Sequence, residues 1–324
     1  MSGRTRSANL FGWDVGTGVS RHLQILSEIL RDAGYEPEVR TIPRRTRGDN
    51  LRVWMAKNLR RREVVDLNVF TQDIVPHWLT KARVNVALPM QEWFDVRDLR
   101  LLPAIDVMVC HSQHAAAIFA PYHSRIEVIG FTSIDRRLPA VAWESRHRII
   151  HVAGRSEYKG ANLVLDVWRR HPEWPTLTIT HAAGLLPPVD LPNVDQRIGH
   201  MDDDELRRLQ NEAWLHIQPS EAEGFGHCLC EALSCGAVVV STDGPPMNEL
   251  VRATDGVLVP WARDEPLNMG FRYLSTADAV ETAIARVLGE GRDSQRPLAD
   301  RARRRFEEID AGNRFALSQL FSAL

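Results

Sequence analysis

The chain has 324 residues, 44% hydrophobic and 25% charged, which is enough apolar material for two domains of ordinary size with real cores. A formal net charge of −2 singles out neither nucleic acid nor a membrane as a global partner, so charge has to be followed locally. The amino terminus MSGRTRSANLFGWD lacks the apolar core of a secretion signal, no apolar run is long enough to span a bilayer, and four cysteines over this length make no disulfide framework. The expectation is a cytoplasmic protein without a transmembrane segment.

Apolar and amphipathic segments alternate nearly throughout, the pattern of an α/β architecture with parallel sheets. In the first half the spacing predicts strands over Asn9–Val15, Pro37–Ile42, Val65–Phe70, Val84–Leu88, Ile105–Cys110 and Ile126–Ile129. Helices are predicted over Val19–Ala33, Asn50–Arg62 and Gln113–Ala120. The polar stretch RRLPAVAWESRHR, residues 136–148, reads as a linker. A second series follows: strand Ile149–Ala153, helix Ala161–Arg170, strands Leu177–Thr180 and Asp195–Ile198, helix Asp203–Glu212, strand Ala213–Gln218, a helix carrying Glu231, and strands Val238–Ser241 and Gly256–Val259. Helices Thr276–Gly289 and Gln295–Ile309 and a separate segment from Asn313 close the chain. The expected domains are residues 1–140 and 141–310, two Rossmann-like doubly wound units facing across a cleft. Residues 311–324 form a terminal helix that returns to the first domain. Ligands of open α/β sheets bind beyond the carboxyl ends of the strands.

Three glycine-rich stretches stand at such strand ends. DVGTGVSRH, residues 14–22, is neither a dinucleotide fingerprint nor a Walker loop. It is open to two readings: amides of Gly16, Thr17 and Gly18 presented to an anion at a helix start, or a tight turn that only glycine tolerates. HVAGRSEYKGAN, residues 151–162, ends a strand at Gly154 and places Arg155 and Lys159 before a helix. A forked donor beside a point charge suits a diphosphate, though two basic loop residues are commonly just solvated. SEAEGFGHCLCEALSCG, residues 220–236, turns through Gly224, Phe225 and Gly226 into a helix that closes at Gly236. Glu223 precedes that turn, and Glu231 sits on the helix among Cys230, Ala232 and Leu233, where a carboxylate needs a specific partner.

His227, Cys228, Cys230 and Cys235 raise the question of a metal. At roughly 100° per helical residue Cys228 and Cys235 share a face and Cys230 points away, which does not converge on a tetrahedral site. Asp202-Asp203-Asp204 reads as a helix cap with first-turn charges rather than a metal motif.

Glu223, seven intervening residues and Glu231, within PSEAEGFGHCLCEAL, is similar to the E-x7-E signature of retaining nucleotide-sugar glycosyltransferases with the GT-B fold (glycosyltransferase family 4-like, group 1). GRSEYKG, GHMDDDEL, GAVVVSTDGPPMNEL and, in the first half, AIDVMVCHSQHAAAIF resemble further segments of that family, so the likeness runs over residues 9–310 and is strongest in the second domain. The resemblance implies a nucleotide-diphosphate sugar as donor substrate and no obligatory metal or cofactor. It assigns Arg155 and Lys159 to the donor diphosphate, Glu231 to the ribose diol, and Glu223 with Gly224, Phe225 and Gly226 to the donor sugar. Gly16, Thr17, Gly18, Gly154, His200 and His227 complete the donor-binding set. Many members carry a histidine where this chain reads LPMQEW, residues 88–93. Its role then falls to Gln91, Glu92, His111 or His114, with Asp14 beside them on the acceptor side.

Transfer in that family is front-side, with the leaving diphosphate assisting deprotonation of the incoming hydroxyl. Positioning and stabilisation of the leaving charge then matter more than a nucleophile. A glycosidase would need two carboxyls facing each other across a sugar, which Glu223 and Glu231 fit poorly. From Arg40 to Arg62 there are nine basic residues, Arg60, Arg61 and Arg62 among them, against one acid, Asp49; Leu51, Trp54, Met55 and Leu59 make an apolar stripe. A basic amphipathic segment on the acceptor side suits an anionic acceptor, such as a hydroxylated base in DNA, or an anionic membrane surface; a merely solvated face gives the same pattern. The rival functions are a nucleotide-sugar epimerase or phosphorylase on the same fold, a glycosyltransferase acting on a small molecule, lipid or glycan acceptor, or a non-catalytic module that keeps the donor pocket.

Overall fold

A computed structural model describes residues 6–13, 18–42, 64–130 and 132–324. The predicted helix over 50–62, the basic segment with Arg60, Arg61 and Arg62, and the positions Asp14, Gly16 and Thr17 lie outside the described residues. The chain divides into two compact units: residues 1–133, 267–270 and 309–324 form the first, and residues 134–266 and 271–308 the second.

The first unit is a six-stranded parallel sheet ordered β2-β1-β3-β4-β5-β6, from β1 (Arg6–Gly12), β2 (Tyr35–Thr41), β3 (Val65–Phe70), β4 (Ala82–Ala87), β5 (Val107–Cys110) and β6 (Ile126–Val128). Helix α1 (Gly18–Asp32) buries Leu23, Leu26 and Leu30 at helical spacing, and α2 (Gln113–Phe119) starts at the Ser112 cap, whose hydroxyl accepts from Ala115 N at 3.0 Å. Phe11 stacks on Phe70 at 4.9 Å and Phe94 meets Phe119 edge-on at 5.1 Å, which centres the core under the middle strands. One buried row is polar. Asn9, Asn68 and Asn85 are register partners on β1, β3 and β4, and their amides hydrogen-bond in series at 3.0 Å each. Asn85 completes the series by donating to the carbonyls of Leu79 and Ala104, so these buried amides meet their partners and tie the three strands in one register.

The second unit repeats the scheme: β7 (Arg148–Gly154), β8 (Leu177–His181), β9 (Val194–Ile198), β10 (Ala213–Gln218), β11 (Val238–Thr242) and β12 (Val257–Val259) form a parallel sheet ordered β12-β11-β10-β7-β8-β9. The order in which strands are added reverses between β7 and β10, which lie side by side and parallel at the topological switch point. Its helices are α3 (Ala161–Arg170), α4 (Asp203–Glu212), α5 (His227–Ser234), α6 (Met247–Leu250), α7 (Ala277–Glu290) and α8 (Arg296–Ala323). Trp168, Val164, Leu215, Val238 and Ile284 are fully buried in its core.

Three expectations are corrected. Residues 136–148 are irregular but are no solvated linker: Arg136 is 1% exposed and Arg146 and Trp143 are buried, because the guanidinium groups find partners within the second unit. The two terminal helices are one, α8, running through Gly312; its residues from Ile309 onward belong to the first unit, with Leu317 and Phe321 fully buried there. A hairpin, β13 (Trp261–Leu267) and β14 (Gly270–Ser275), occupies a stretch for which no element was predicted. Among the described residues no helix is long and apolar enough to cross a membrane.

Two histidines in the second sheet give the fold an acid limit. His151 and His216 are fully buried, each with one ring nitrogen against a backbone carbonyl (Ile217 at 2.6 Å, Gln210 at 2.8 Å), and burial pushes both down to about 4. The unfolded chain takes up protons near the usual histidine value of about 6.5, whereas the native state holds both rings neutral down to about pH 4. Stability is therefore complete above about pH 6.5 and drains as pH falls toward 4, by on the order of 3 kcal/mol per histidine. Urea midpoints measured from pH 7.5 to 4.5 should fall steadily; a flat profile would mean that these rings titrate in the native state as they do in the unfolded chain.

Candidate functional site

In the second unit the loops after β7 and β10 meet at the switch point. After Gly154 and the exposed Arg155, Ser156 caps a single 3-10 turn, Glu157–Lys159. Gly160 then opens α3 with φ 73°, and a Cβ there would overlap the Pro219 carbonyl oxygen, so only glycine lets the two loops come this close. Glu221 N donates to Tyr158 O at 2.8 Å, Tyr273 N donates to Glu221 O at 2.7 Å, and Arg272 grips the Glu221 carboxylate from Nε at 2.9 Å. The 219–226 loop is thus pinned on one side to the 3-10 turn and on the other to β14.

What this pinning positions is an ion pair. Lys159 Nζ donates to Glu223 Oε1, and Cys228 Sγ lies 3.4 Å from the ammonium and 3.3 Å from the same carboxylate oxygen. Glu223 is buried and the Lys159 side chain is 17% exposed. Burial alone would lower the lysine, but the Cys228 sulfur and the Glu223 carboxylate outweigh it and hold Lys159 above the ordinary lysine range. Burial, reinforced by Glu223, pushes the Cys228 thiol up to about 12, so it stays a neutral thiol at physiological pH. The site therefore holds a part-buried cation beside a buried carboxylate, with a weak, uncharged donor against both.

Helix α5 begins immediately beyond. Gly226 has φ 63°, where a Cβ would strike Leu250 Cδ1, and no side chain caps the helix start at His227. An uncapped amino terminus presents amides and a partial positive charge to an anion. Gly224 is half-buried, Phe225 is buried, and the Phe225 and His227 rings lie 5.7 Å apart.

Glu231, 2% exposed, lies one turn along α5 and accepts from Gln210 Nε2 at 2.9 Å. Gln210 is itself held: its Oε1 accepts from Arg136 Nε at 2.9 Å, and Arg136 goes on to the Asp203 carboxylate at 2.6 Å and the Asp203 carbonyl at 2.8 Å. The Arg136 backbone amide donates to Ser234 Oγ, which returns to the Glu231 carbonyl at 2.7 Å. Sequence reasoning finds the carboxylate but misses its holders, because Arg136 and Gln210 are 74 positions apart and neither stands in a motif. For Cys228 it offers a metal ligand or an ordinary buried thiol, not a contact to Lys159 and Glu223. Asp202 caps α4, accepting from the amides of Asp204 and Glu205.

Other buried polar groups gather at the same edge. The side chains of Gln218, Ser220, Ser241 and Thr242, at the ends of β10 and β11, are buried with no partner among the described residues. Such groups in a native fold call for an explanation, and a bound polar ligand is one. His200 is exposed in the loop between β9 and α4. The structure thus brings Lys159, Glu223, Gly224, Phe225, Gly226, His227 and Glu231 to one sheet edge with Gly154 and Arg155, and leaves His200 on the neighbouring loop.

In the first unit, Gln91 and Glu92 follow β4 and are buried; the turn residues Met269 and Asn268 donate to their carbonyls at 3.1 and 2.5 Å. His111 follows β5, is buried, and meets the His22 ring edge-on at 6.0 Å, while His114 is half-buried on α2. Gly18 is the first residue of α1. All of these stand at the carboxyl-terminal edge of the first sheet.

The three thiols around α5 are free and buried, and among the described residues no three or more His, Cys, Asp or Glu side chains are grouped to hold a metal ion.

Residues 190–286 match the family model of glycosyl transferases group 1. No curated protein matches the chain in sequence. Solved structures match it nearly end to end at low identity. A glycosyltransferase from Rickettsia africae superposes with TM-score 0.71 at 14% identity, covering 98% of both chains. Sucrose-phosphate synthase from Thermosynechococcus elongatus gives 0.68 at 15%, covering 98% of this chain and all of the other. The Anabaena protein HepE, solved with UDP-glucose, gives 0.67 at 14%, again with 98% and full coverage. The fold is GT-B, and within it the stretch 190–286 is similar to glycosyl transferases group 1.

Proposed function

We propose that this chain is a retaining hexosyl- or pentosyltransferase that moves a sugar from a nucleotide-diphosphate sugar to a hydroxyl acceptor. The observation that carries this reading is the buried Lys159–Glu223 pair at the switch point of the second sheet, beside the uncapped start of α5. Lys159 has three N–H groups, so it can keep Glu223 and still meet a phosphate oxygen. With Arg155 and the first-turn amides of α5 it would receive the diphosphate, Glu231 the ribose diol and Glu223 a sugar hydroxyl. The bond between the anomeric carbon and the diphosphate oxygen breaks while the acceptor oxygen bonds to the same face of that carbon, and the acceptor proton passes to the departing diphosphate. The chain's own part is to orient the donor and to stabilise charge on the leaving oxygen. The domain assignment follows, with the donor on residues 141–310 and the acceptor on residues 1–140 near Gln91, Glu92, His111 and His114. An anionic acceptor, a hydroxylated base in DNA among them, is supported by the basic sequence of residues 40–62 alone. Four free buried thiols suit a reducing cytoplasm.

The test is a melting-temperature panel of nucleoside diphosphates and nucleotide sugars, since a ligand bound to the native state raises stability by mass action. A rise with one nucleotide series, lost in Lys159→Ala, is the expected result; no rise with any would sink the reading. Glu231→Gln should then weaken donor binding more than it slows turnover, because a ribose contact is felt equally in ground and transition states. Glu223→Gln should mainly lower kcat, and the reverse pattern would exchange the two roles. Release of free sugar, sugar phosphate or an epimer without acceptor would favour the epimerase or phosphorylase alternative.

A further inference from the structure

A pocket of about 200 Å³ lies in the second unit away from the switch point, at the carboxyl-terminal end of α5. Its wall carries four arginines, Arg137, Arg146, Arg296 and Arg303, against two acids, Glu144 and Asp300. Two of the arginines are neutralised: Arg296 pairs with Glu144 at 2.6 Å, and Arg303 pairs with Asp135 at 2.7 Å and Glu307 at 2.7 Å. The other two have no carboxylate partner among the described residues.

Arg146 is the anomaly. It is only 5% exposed, its two terminal nitrogens donate to the carbonyls of Gly236 (2.6 Å) and Cys235 (2.8 Å), and its Nε has no partner. The indole of Trp143, 9% exposed, lies 5.6 Å beneath the guanidinium, and its Nε1 is also unpartnered. Two residues that line one pocket thus each carry a buried donor without a partner, where a fold usually supplies one. Burial is the main cause that lowers the Arg146 guanidinium; the like charge of Arg137 adds to it, while Cys235 and the Asp300 carboxylate act against it. Arg137 is exposed at the pocket mouth, where a flexible guanidinium can close on a ligand.

We infer that this pocket is a binding site for a small dianion, a phosphate group or phosphate monoester, held between Arg137 and Arg146 with the Trp143 indole N–H beside it. A forked guanidinium suits a phosphate in geometry as well as charge, and the volume admits a phosphate with a short carbon stub but not a nucleotide. The occupant would share Arg146 with the last carbonyls of the helix that carries Glu231, and Arg303 of the same wall donates to Ser234 O at 2.6 Å. Occupancy is thereby linked to how that helix ends.

The test titrates inorganic phosphate and, separately, glycerol 1-phosphate into the full chain by calorimetry, in phosphate-free buffer at fixed ionic strength. Saturable binding is expected, weakened about tenfold or more in Arg137→Gln, whose exposed side chain the fold does not need. Arg146→Gln should weaken it at least as much, and unfolding midpoints of both variants separate lost binding from lost structure. Arg155→Ala, altered only at the switch-point loop, should keep the affinity. Tighter binding of glycerol 1-phosphate marks a phosphorylated metabolite as the occupant, and equal binding marks free phosphate. No saturable binding, unchanged affinity in Arg137→Gln, or loss in Arg155→Ala instead would overturn the site.

Discussion

Lys159→Ala is expected to lower kcat for sugar transfer by about 10²- to 10³-fold, the usual cost of removing a preorganised charge from a site where negative charge develops. Lys159 qualifies because its ammonium is fixed at a loop junction, largely shielded from water, and held charged by Glu223 across any working pH. The substitution also strands the Glu223 carboxylate in a buried site, which costs on the order of 3–5 kcal/mol when the partner of a buried pair is deleted. Lost turnover could then reflect lost fold, so the double variant Lys159→Met with Glu223→Gln decides the matter. Replacing both charges by neutral groups should restore most of the unfolding midpoint and none of the rate. Near-normal kcat in both Lys159→Ala and Arg155→Ala would remove these residues from the leaving-group role.

Arg136→Met is expected to cost about 2–5 kcal/mol of stability and to weaken donor binding, although Arg136 touches none of the candidate donor contacts. Its partner Asp203 has a 60% exposed side chain, and an ion pair with one solvated partner contributes at most about 1 kcal/mol. The cost lies on the buried side. Removing the guanidinium frees the Gln210 amide oxygen and the Asp203 carbonyl, and Gln210 is then no longer held in the orientation that donates to Glu231. Asp203→Asn should therefore shift the urea midpoint little, while Arg136→Met shifts it strongly and raises the donor Kd. Equal effects from the two variants would show that the ion pair, and not the relay to Glu231, is what matters.

What the sequence discloses and conceals follows from the range of the forces involved. Helices Ala161–Arg170 and Asp203–Glu212 and strands Val65–Phe70 and Ala213–Gln218 match the predicted bounds to the residue, because caps and apolar periods within each segment define them. The candidate site was legible for a related reason: its glycines and carboxylates sit together in two short loops at strand ends. Arg136 was not, since an arginine in a polar stretch reads as solvated until the glutamine it holds is brought over from 74 residues away. Gly312 misled the reading of the last helix. A mid-helix glycine costs about 1 kcal/mol relative to alanine, and the burial of Phe306 and Ile309 before it and Leu317 and Phe321 after it exceeds that. The asparagine row across β1, β3 and β4 was equally hidden, because single asparagines in three strands acquire meaning only once the strands are in register.

The first unit is not a continuous piece of chain, and this orders events during biosynthesis. Residues 309–324 supply buried Leu317 and Phe321, an ion pair from Arg314 to Glu28 at 3.3 Å and a hydrogen bond between Asp310 and Thr132 at 2.8 Å. When the ribosome has delivered residues 1–133, the sheet of that unit is present but part of its apolar cover has yet to be made. The second unit, whose segments end at Glu308, has all its parts first. The usual vectorial order, amino-terminal domain before carboxyl-terminal, is thus inverted at the final step. The nascent first unit waits with apolar surface uncovered until the last turns of α8 emerge, and during that interval a chaperone would find its binding surface there.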